Sequence, residues 1–175
     1  MTQSEPTPPA WRDEVYDSLK AAGVEIISYV PDAGHSRAIE RAVADPDMEA
    51  IVLTTEEEGV ALAYGAWLGG KKAALLMQSS GVGNCINMLG LVQSCGFPFL
   101  TLVTMRGEWE EFNPWQKPMG AAVPAVLEAM NVEVRRISEP DQVAPMTGAA
   151  ADDVFGQDKA VALLISQKII GKKVW

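Results

Sequence analysis

Short apolar runs alternate with stretches of helical period along this chain. Trp11, Val15, Leu19 and Ala22 fall on one face of a helix that Gly23 stops. Residues 25–30 read as a first strand, ended by Pro31, and residues 36–45 as the next helix. A strand over 49–53, a helix rich in Ala and Gly over 56–69, a strand over 72–77 and a Gly-rich connection over 79–83 continue the series. A buried, apolar helix is expected over 84–95 and a strand over 98–104. Residues 105–120 carry Trp109, Phe112 and Trp115 and have no clear period. Val123, Val126, Leu127 and Met130 mark a further helix, and 133–137, 140–156 and 159–166 finish as strand, helix, strand.

Six strands separated by helices predict an α/β fold: a single domain whose predominantly parallel six-stranded sheet carries helices on both faces. The strands are apolar throughout rather than alternating, as strands covered on both sides are. Ligands of such sheets bind beyond the carboxyl ends of the strands. The segments to read for chemistry are therefore 31–36, 54–58, 78–84 and 105–120.

Composition narrows the choice of function. A length of 175 residues suits one domain, and 48% apolar residues suit a packed core. Residues 1–10, rich in proline, read as a flexible tail before a domain over 11–175, with neither the basic start nor the apolar stretch of a signal peptide. The net charge of −9 disfavours nucleic acid and anionic membranes, and no apolar run reaches the roughly 18 residues of a membrane span. An anionic substrate needs a locally positive site on such a chain. Cys85 and Cys95 lack metal-type spacing and read as reduced, buried thiols of a cytoplasmic protein.

The glycines of Ser79-Ser80-Gly81-Val82-Gly83-Asn84 let backbone approach a ligand, but they suit equally a tight connection that binds nothing. The third glycine of G-x-G-x-x-G and the Lys-Ser/Thr of a P-loop are absent, which excludes the usual nucleotide fingerprints. Glu56, Glu57 and Glu58 open a helix, where acids favour the helix dipole, and Asp32 fits a turn or a cap. His35 is the sole histidine, which argues against a metal site or a Ser-His-Asp triad.

Together these segments resemble the pyrimidine-binding domain of thiamine-diphosphate enzymes, in particular the family of sulfopyruvate decarboxylase alpha subunits and phosphonopyruvate decarboxylases. The likeness extends from about residue 11 onward. Glu56 has Gly65 nine positions on, the spacing of the superfamily's cofactor glutamate, which Glu57 and Glu58 do not meet. Gly81, Gly83 and Asn84 match its Gly-x-Gly and Asn one strand later. Pro31-Asp32 resembles its active-site acid, and Arg106-Gly107-Glu108 resembles the decarboxylase subgroup. Val82 replaces the usual proline, and Gln116-Lys117-Pro118 stands in the loop where pyruvate decarboxylases carry two histidines. The Gly-Asp-Gly that holds Mg²⁺ and diphosphate in the superfamily occurs nowhere in this sequence.

The resemblance implies a thiamine-diphosphate-dependent carboxy-lyase of a small acidic 2-oxo acid, releasing CO₂ and an aldehyde. It implies a beta subunit that holds diphosphate and Mg²⁺, in a hetero-oligomer of at least α2β2. It implies catalytic roles for Glu56, at the aminopyrimidine ring nitrogen, and for Asp32, in proton handling at the substrate. Cofactor contacts are implied for Gln78, Ser80, Gly81, Gly83 and Asn84, and substrate contacts for His35, Arg106 and Gln116. Arg106 is expected either to pair a sulfonate or phosphonate or to form a surface ion pair with Glu108 or Glu110. No metal ligand is assigned to this chain. Acyloin formation, acyl transfer and a non-catalytic assembly module stay open as alternatives, and the last has no need of Glu56.

Overall fold

The computed structural model describes residues 9–171, so the tail expected over 1–10 lies outside it except for Pro9 and Ala10. Helix α1 (Trp11–Ala21) buries Trp11, Val15, Tyr16 and Leu19, and Gly23, at φ +77°, turns the chain into β1 (Ile26–Tyr29). There follow α2 (Ser36–Ala44), β2 (Glu49–Val52), α3 (Glu57–Leu68) and β3 (Ala73–Gln78). Next come α4 (Ser79–Cys85), α5 (Gly90–Cys95), β4 (Phe99–Thr104) and α6 (Gln116–Ala129). Strand β5 (Glu133–Ile137), a 3₁₀ turn (Pro140–Gln142), α7 (Val143–Gln157), β6 (Ala160–Ile165) and α8 (Gln167–Ile170) complete the chain.

All six strands are parallel, in the order β2-β1-β3-β4-β6-β5. The expected α/β sheet is present, and its predominantly apolar strands are the inner four. The edge strands β2 and β5 are half-exposed, whereas β1 and β4 are buried at every residue. Helices α1, α2 and α7 close one face around Leu19, Leu76, Leu102 and Leu163. Helices α3 to α6 close the other around Val60, Leu75, Phe99 and Leu127. Strand order reverses between β1 and β3 and again between β4 and β6, and crevices open at such points.

Two local expectations fail. Residues 79–83 are helical, forming most of α4, and the single helix expected over 84–95 is broken by the turn at 86–89. Glycine reads as a turn residue locally, but here it lets a helix sit close to its neighbours. A Cβ on Gly81 would lie 2.4 Å from the Glu56 carboxyl carbon, and one on Gly83 would lie 3.1 Å from Met119 Sδ. Tertiary contact thus overrides propensity. The segment 84–95 is also less buried than expected, with Asn84, Ile86, Asn87, Gln93 and Ser94 exposed and Cys95 only partly covered. Helix α6 begins at Gln116, well before Val123, so the last five residues of the unassigned stretch are helical.

Candidate active site

Glu56 caps α3 at the carboxyl end of β2, with helical backbone angles and 8% exposure. Gly59 presses α3 against β3, since a Cβ there would meet Leu75 Cδ1 at 2.5 Å. Asn84 Nδ2 donates to Glu56 Oε2 at 2.8 Å across the bare surface of Gly81. Oε1 receives no hydrogen bond from the described residues. The neighbouring acids differ: Glu57 faces outward, and Glu58 turns back to accept the Thr54 N–H at 2.8 Å, satisfying a donor before the helix.

A second cluster lies beyond the ends of β1, β3 and β4. Asp32 accepts the Gly34 N–H at 3.1 Å, Gln78 Nε2 at 3.0 Å and Thr104 Oγ1 at 2.6 Å. Gly34 permits this, because a Cβ there would lie 2.6 Å from Thr104 Cγ2. Gln78 Oε1 accepts from Ser80 Oγ and Gln116 Nε2, each at 3.1 Å. Gln78 is also the residue from which α4 starts, so the Asp32 cluster and the Glu56–Asn84 pair are joined through one short helix. A cavity of about 130 Å³ opens here, walled by Arg12, Asp32, Gln78, Thr104, Arg106 and Gln167 among others.

Arg106 follows β4 and anchors the segment after it. Its Nε and Nη2 donate to Glu111 Oε2 and Oε1 at 2.7 and 2.6 Å. The side chains of the pair are 8% and 1% exposed, so the arginine's ion pair is with Glu111 and is buried, where a surface pair with Glu108 or Glu110 was one of two expectations. Glu111 also accepts from the Gly107 and Asn113 N–H groups and from Gln167 Nε2. The guanidinium of Arg106 holds its carboxyl down at about 2. Gln167 Oε1 accepts from the N–H groups of Glu108 and Trp109, tying the segment to α8.

No family model matches the chain. In sequence it is 34% identical to the sulfopyruvate decarboxylase subunit alpha of Methanococcus maripaludis, over 87% of this chain and 92% of that protein. The likeness to the sulfopyruvate decarboxylase subunit alpha of Methanothermobacter thermautotrophicus is also 34%, over 87% and 93%. The chain belongs to the sulfopyruvate decarboxylase alpha-subunit family. The phosphonopyruvate decarboxylase of Streptomyces viridochromogenes is 32% identical over 66% of this chain and 30% of its own length. The fold is shared with 2-oxoglutarate:ferredoxin oxidoreductase from Magnetococcus marinus, solved with 2-oxoglutarate, coenzyme A and succinyl-CoA bound. That match has a TM-score of 0.72 at 17% identity and covers 89% of this chain and 28% of that one.

For this family member, the structure gathers Glu56, Gly81 and Asn84 into one corner and Asp32, Gln78, Ser80 and Gln116 into one network. Gly83 meets α6 at Met119 and stands apart from both. His35 does not reach the cavity wall. It is 1% exposed, its Nε2–H donates to the Leu102 carbonyl at 3.0 Å, and burial lowers its pKa, so it is a neutral core residue. Gln116 bonds to Gln78 from behind, with its Oε1 buried and unpartnered among the described residues. The sequence reading missed Thr104, Glu111, Gln167 and Arg12. Thr104 ends a strand, where the sheet-edge rule points; the other three carry no local signal. Burial drives the Cys85 thiol up to about 12, which leaves it unreactive. Among the described residues, no cluster of His, Cys, Asp and Glu is arranged to hold a metal, and no helix is long and apolar enough to cross a membrane.

Proposed function

We propose that this chain is the alpha subunit of a two-subunit, thiamine-diphosphate-dependent decarboxylase of a small acidic 2-oxo acid, sulfopyruvate-like or phosphonopyruvate-like. The observation that carries this is Glu56: a buried carboxylate, oriented on one oxygen by Asn84 and without a donor on the other among the described residues. Such a group suits the aminopyrimidine of thiamine diphosphate, whose ring nitrogen is a partner for a carboxyl group that holds a proton. When bound, the cofactor supplies a nucleophilic thiazolium carbon and a sink for the electrons released as CO₂ leaves.

The chain's own residues orient and move protons. Glu56 would hold a proton at Oε1 for the pyrimidine of the bound cofactor, and Asn84 fixes the carboxyl plane. Asp32 is the proton-handling group at the substrate, oriented by Thr104 and Gln78. Gln78 and Ser80 line the approach between the two carboxylates. The chain lacks Gly-Asp-Gly, so diphosphate and Mg²⁺ belong to a beta subunit, in an assembly of at least α2β2. An exposed apolar residue beside the Glu56–Asn84 corner suits burial against another chain: Ile86, two residues after Asn84, is 38% exposed. A cytoplasmic setting suits the free thiols Cys85 and Cys95.

The test is reconstitution with the partner chain, Mg²⁺ and thiamine diphosphate. CO₂ and the matching aldehyde are expected from sulfopyruvate or phosphonopyruvate. Acyloin as the sole product overturns the decarboxylase assignment. Tight cofactor binding by a strictly monomeric alpha chain, measured by calorimetry, overturns the two-subunit assignment.

A further inference from the structure

The sequence offers Arg106 as the cation for a second substrate anion, but the structure commits two of its donors to Glu111 and so makes it a positioning residue for the segment beyond β4. The cavity has another guanidinium. Arg12, on the first turn of α1, donates through Nη1 to the Ala33 carbonyl at 3.1 Å and through Nη2 to the Ile170 carbonyl at 3.5 Å. Both partners are neutral. No carboxylate among the described residues lies within ion-pair distance of Arg12, whereas Arg37, Arg41, Arg106, Arg135 and Arg136 each have one. Its Nε is buried and unpartnered among those residues. A guanidinium carries five N–H donors, so Arg12 retains most of its capacity and all of its charge. It sits over the Trp11 ring, 5.1 Å from the centroid, and it bridges the loop after β1 to the end of α8.

We infer that Arg12 is the specificity residue for the distal oxyanion of the substrate, a sulfonate or phosphonate on the carbon next to the keto group. This rests on the decarboxylase function proposed above. Arg12 shares the cavity wall with Asp32, whose oxygens accept from Gly34, Gln78 and Thr104 and form no ion pair with the arginine. With Arg106 neutralised by Glu111, Arg12 is the guanidinium of this cavity that has no carboxylate partner among the described residues, on a chain of net charge −9. At about 130 Å³ the cavity is smaller than the roughly 300–1,000 Å³ of pockets that enclose whole ligands, and it suits one end of a small molecule. A planar donor fork discriminates an oxyanion from a methyl group through charge-assisted hydrogen bonds.

The test compares the parent, Arg12→Ala and Arg12→Lys in the assembled complex with sulfopyruvate, phosphonopyruvate, oxaloacetate and pyruvate. For Arg12→Ala, kcat/KM for the preferred dianionic substrate should fall relative to that for pyruvate by roughly 10- to 100-fold, mainly through KM. Arg12→Lys should recover part of that ratio, because it restores charge without the fork. The substrate most affected identifies the distal group as sulfonate, phosphonate or carboxylate. Calorimetric titration with sulfoacetate and phosphonoacetate gives a readout free of turnover: the parent binds one of them and Arg12→Ala binds it at least 10-fold more weakly. Equal losses for pyruvate and the dianionic acids, or unchanged analogue binding by Arg12→Ala, overturn the inference. If the parent complex decarboxylates none of the acids yet binds an analogue through Arg12, the decarboxylase function fails while the anion site stands.

Discussion

Glu111 accepts hydrogen bonds from Arg106, Gly107, Asn113 and Gln167, and its side chain is 1% exposed. Glu56 is 8% exposed and accepts one bond among the described residues, from Asn84. The first carboxylate is saturated, holds its charge down to a pH of about 2 and stitches a loop to α8. The second has an oxygen without a donor among the described residues, beside a glycine. The difference teaches that burial alone does not mark a reactive acid; unused hydrogen-bonding capacity in an oriented acid does.

The sharpest way to break the contrast is Glu56→Gln. Turnover of the assembled enzyme should fall by about 10²–10⁴-fold, with proton exchange at cofactor C2 lost and Tm changed by only about 2 °C. Parent-like C2 exchange in this variant removes Glu56 from catalysis. Glu111→Ala should act on stability instead, costing about 3–5 kcal/mol in denaturant unfolding, because Arg106 is left buried without its partner. A cost below about 1 kcal/mol shows that water replaces the pair.

Acid should reveal the same asymmetry. Glu111 sits at about 2 in the fold against an ordinary 4.5, mainly because of Arg106. A depressed folded pKa gives stability that is complete above the unfolded value and is lost as pH falls from about 4.5 through 2, amounting to about 3 kcal/mol. Acid melts of Glu111→Gln should lack that part of the pH dependence; an unchanged curve assigns the acid sensitivity to other groups.

Two glycines sharpen the contrast at smaller scale. Gly81→Ala puts a methyl 2.4 Å from the Glu56 carboxyl carbon, so it should cost about 1–3 kcal/mol and displace Glu56. Gly65→Ala meets nothing within 4 Å and should stabilise the isolated chain by about 0.5–1 kcal/mol. Smallest of all, Glu57→Gln and Glu58→Gln should each cost about 0.3–1 kcal/mol and leave turnover near the parent value, as kinetics and melts of both variants would show.

The parallel sheet was legible because its inner strands are buried on both faces and therefore predominantly apolar. Glu56, Gly81 and Asn84 were legible because spacing along a strand-helix series survives folding. Helix α4 was not, since its glycines signal a turn locally and a close helix contact only in the assembled domain. Arg12 and Gln167 stayed hidden for a related reason: they come from opposite ends of the chain, and neither has a neighbour in sequence that hints at the other.

The sequence by itself determined the α/β alternation, the family likeness and the one acid of three with a glycine nine positions on. Tertiary structure decided what each charged side chain is free to do. It paired Arg106 with Glu111, sank His35 into the core, and left Arg12 with carbonyl partners at the mouth of the cavity. Those outcomes depend on distances between segments far apart in the chain, and a local pattern of apolar and polar residues does not encode which charges meet.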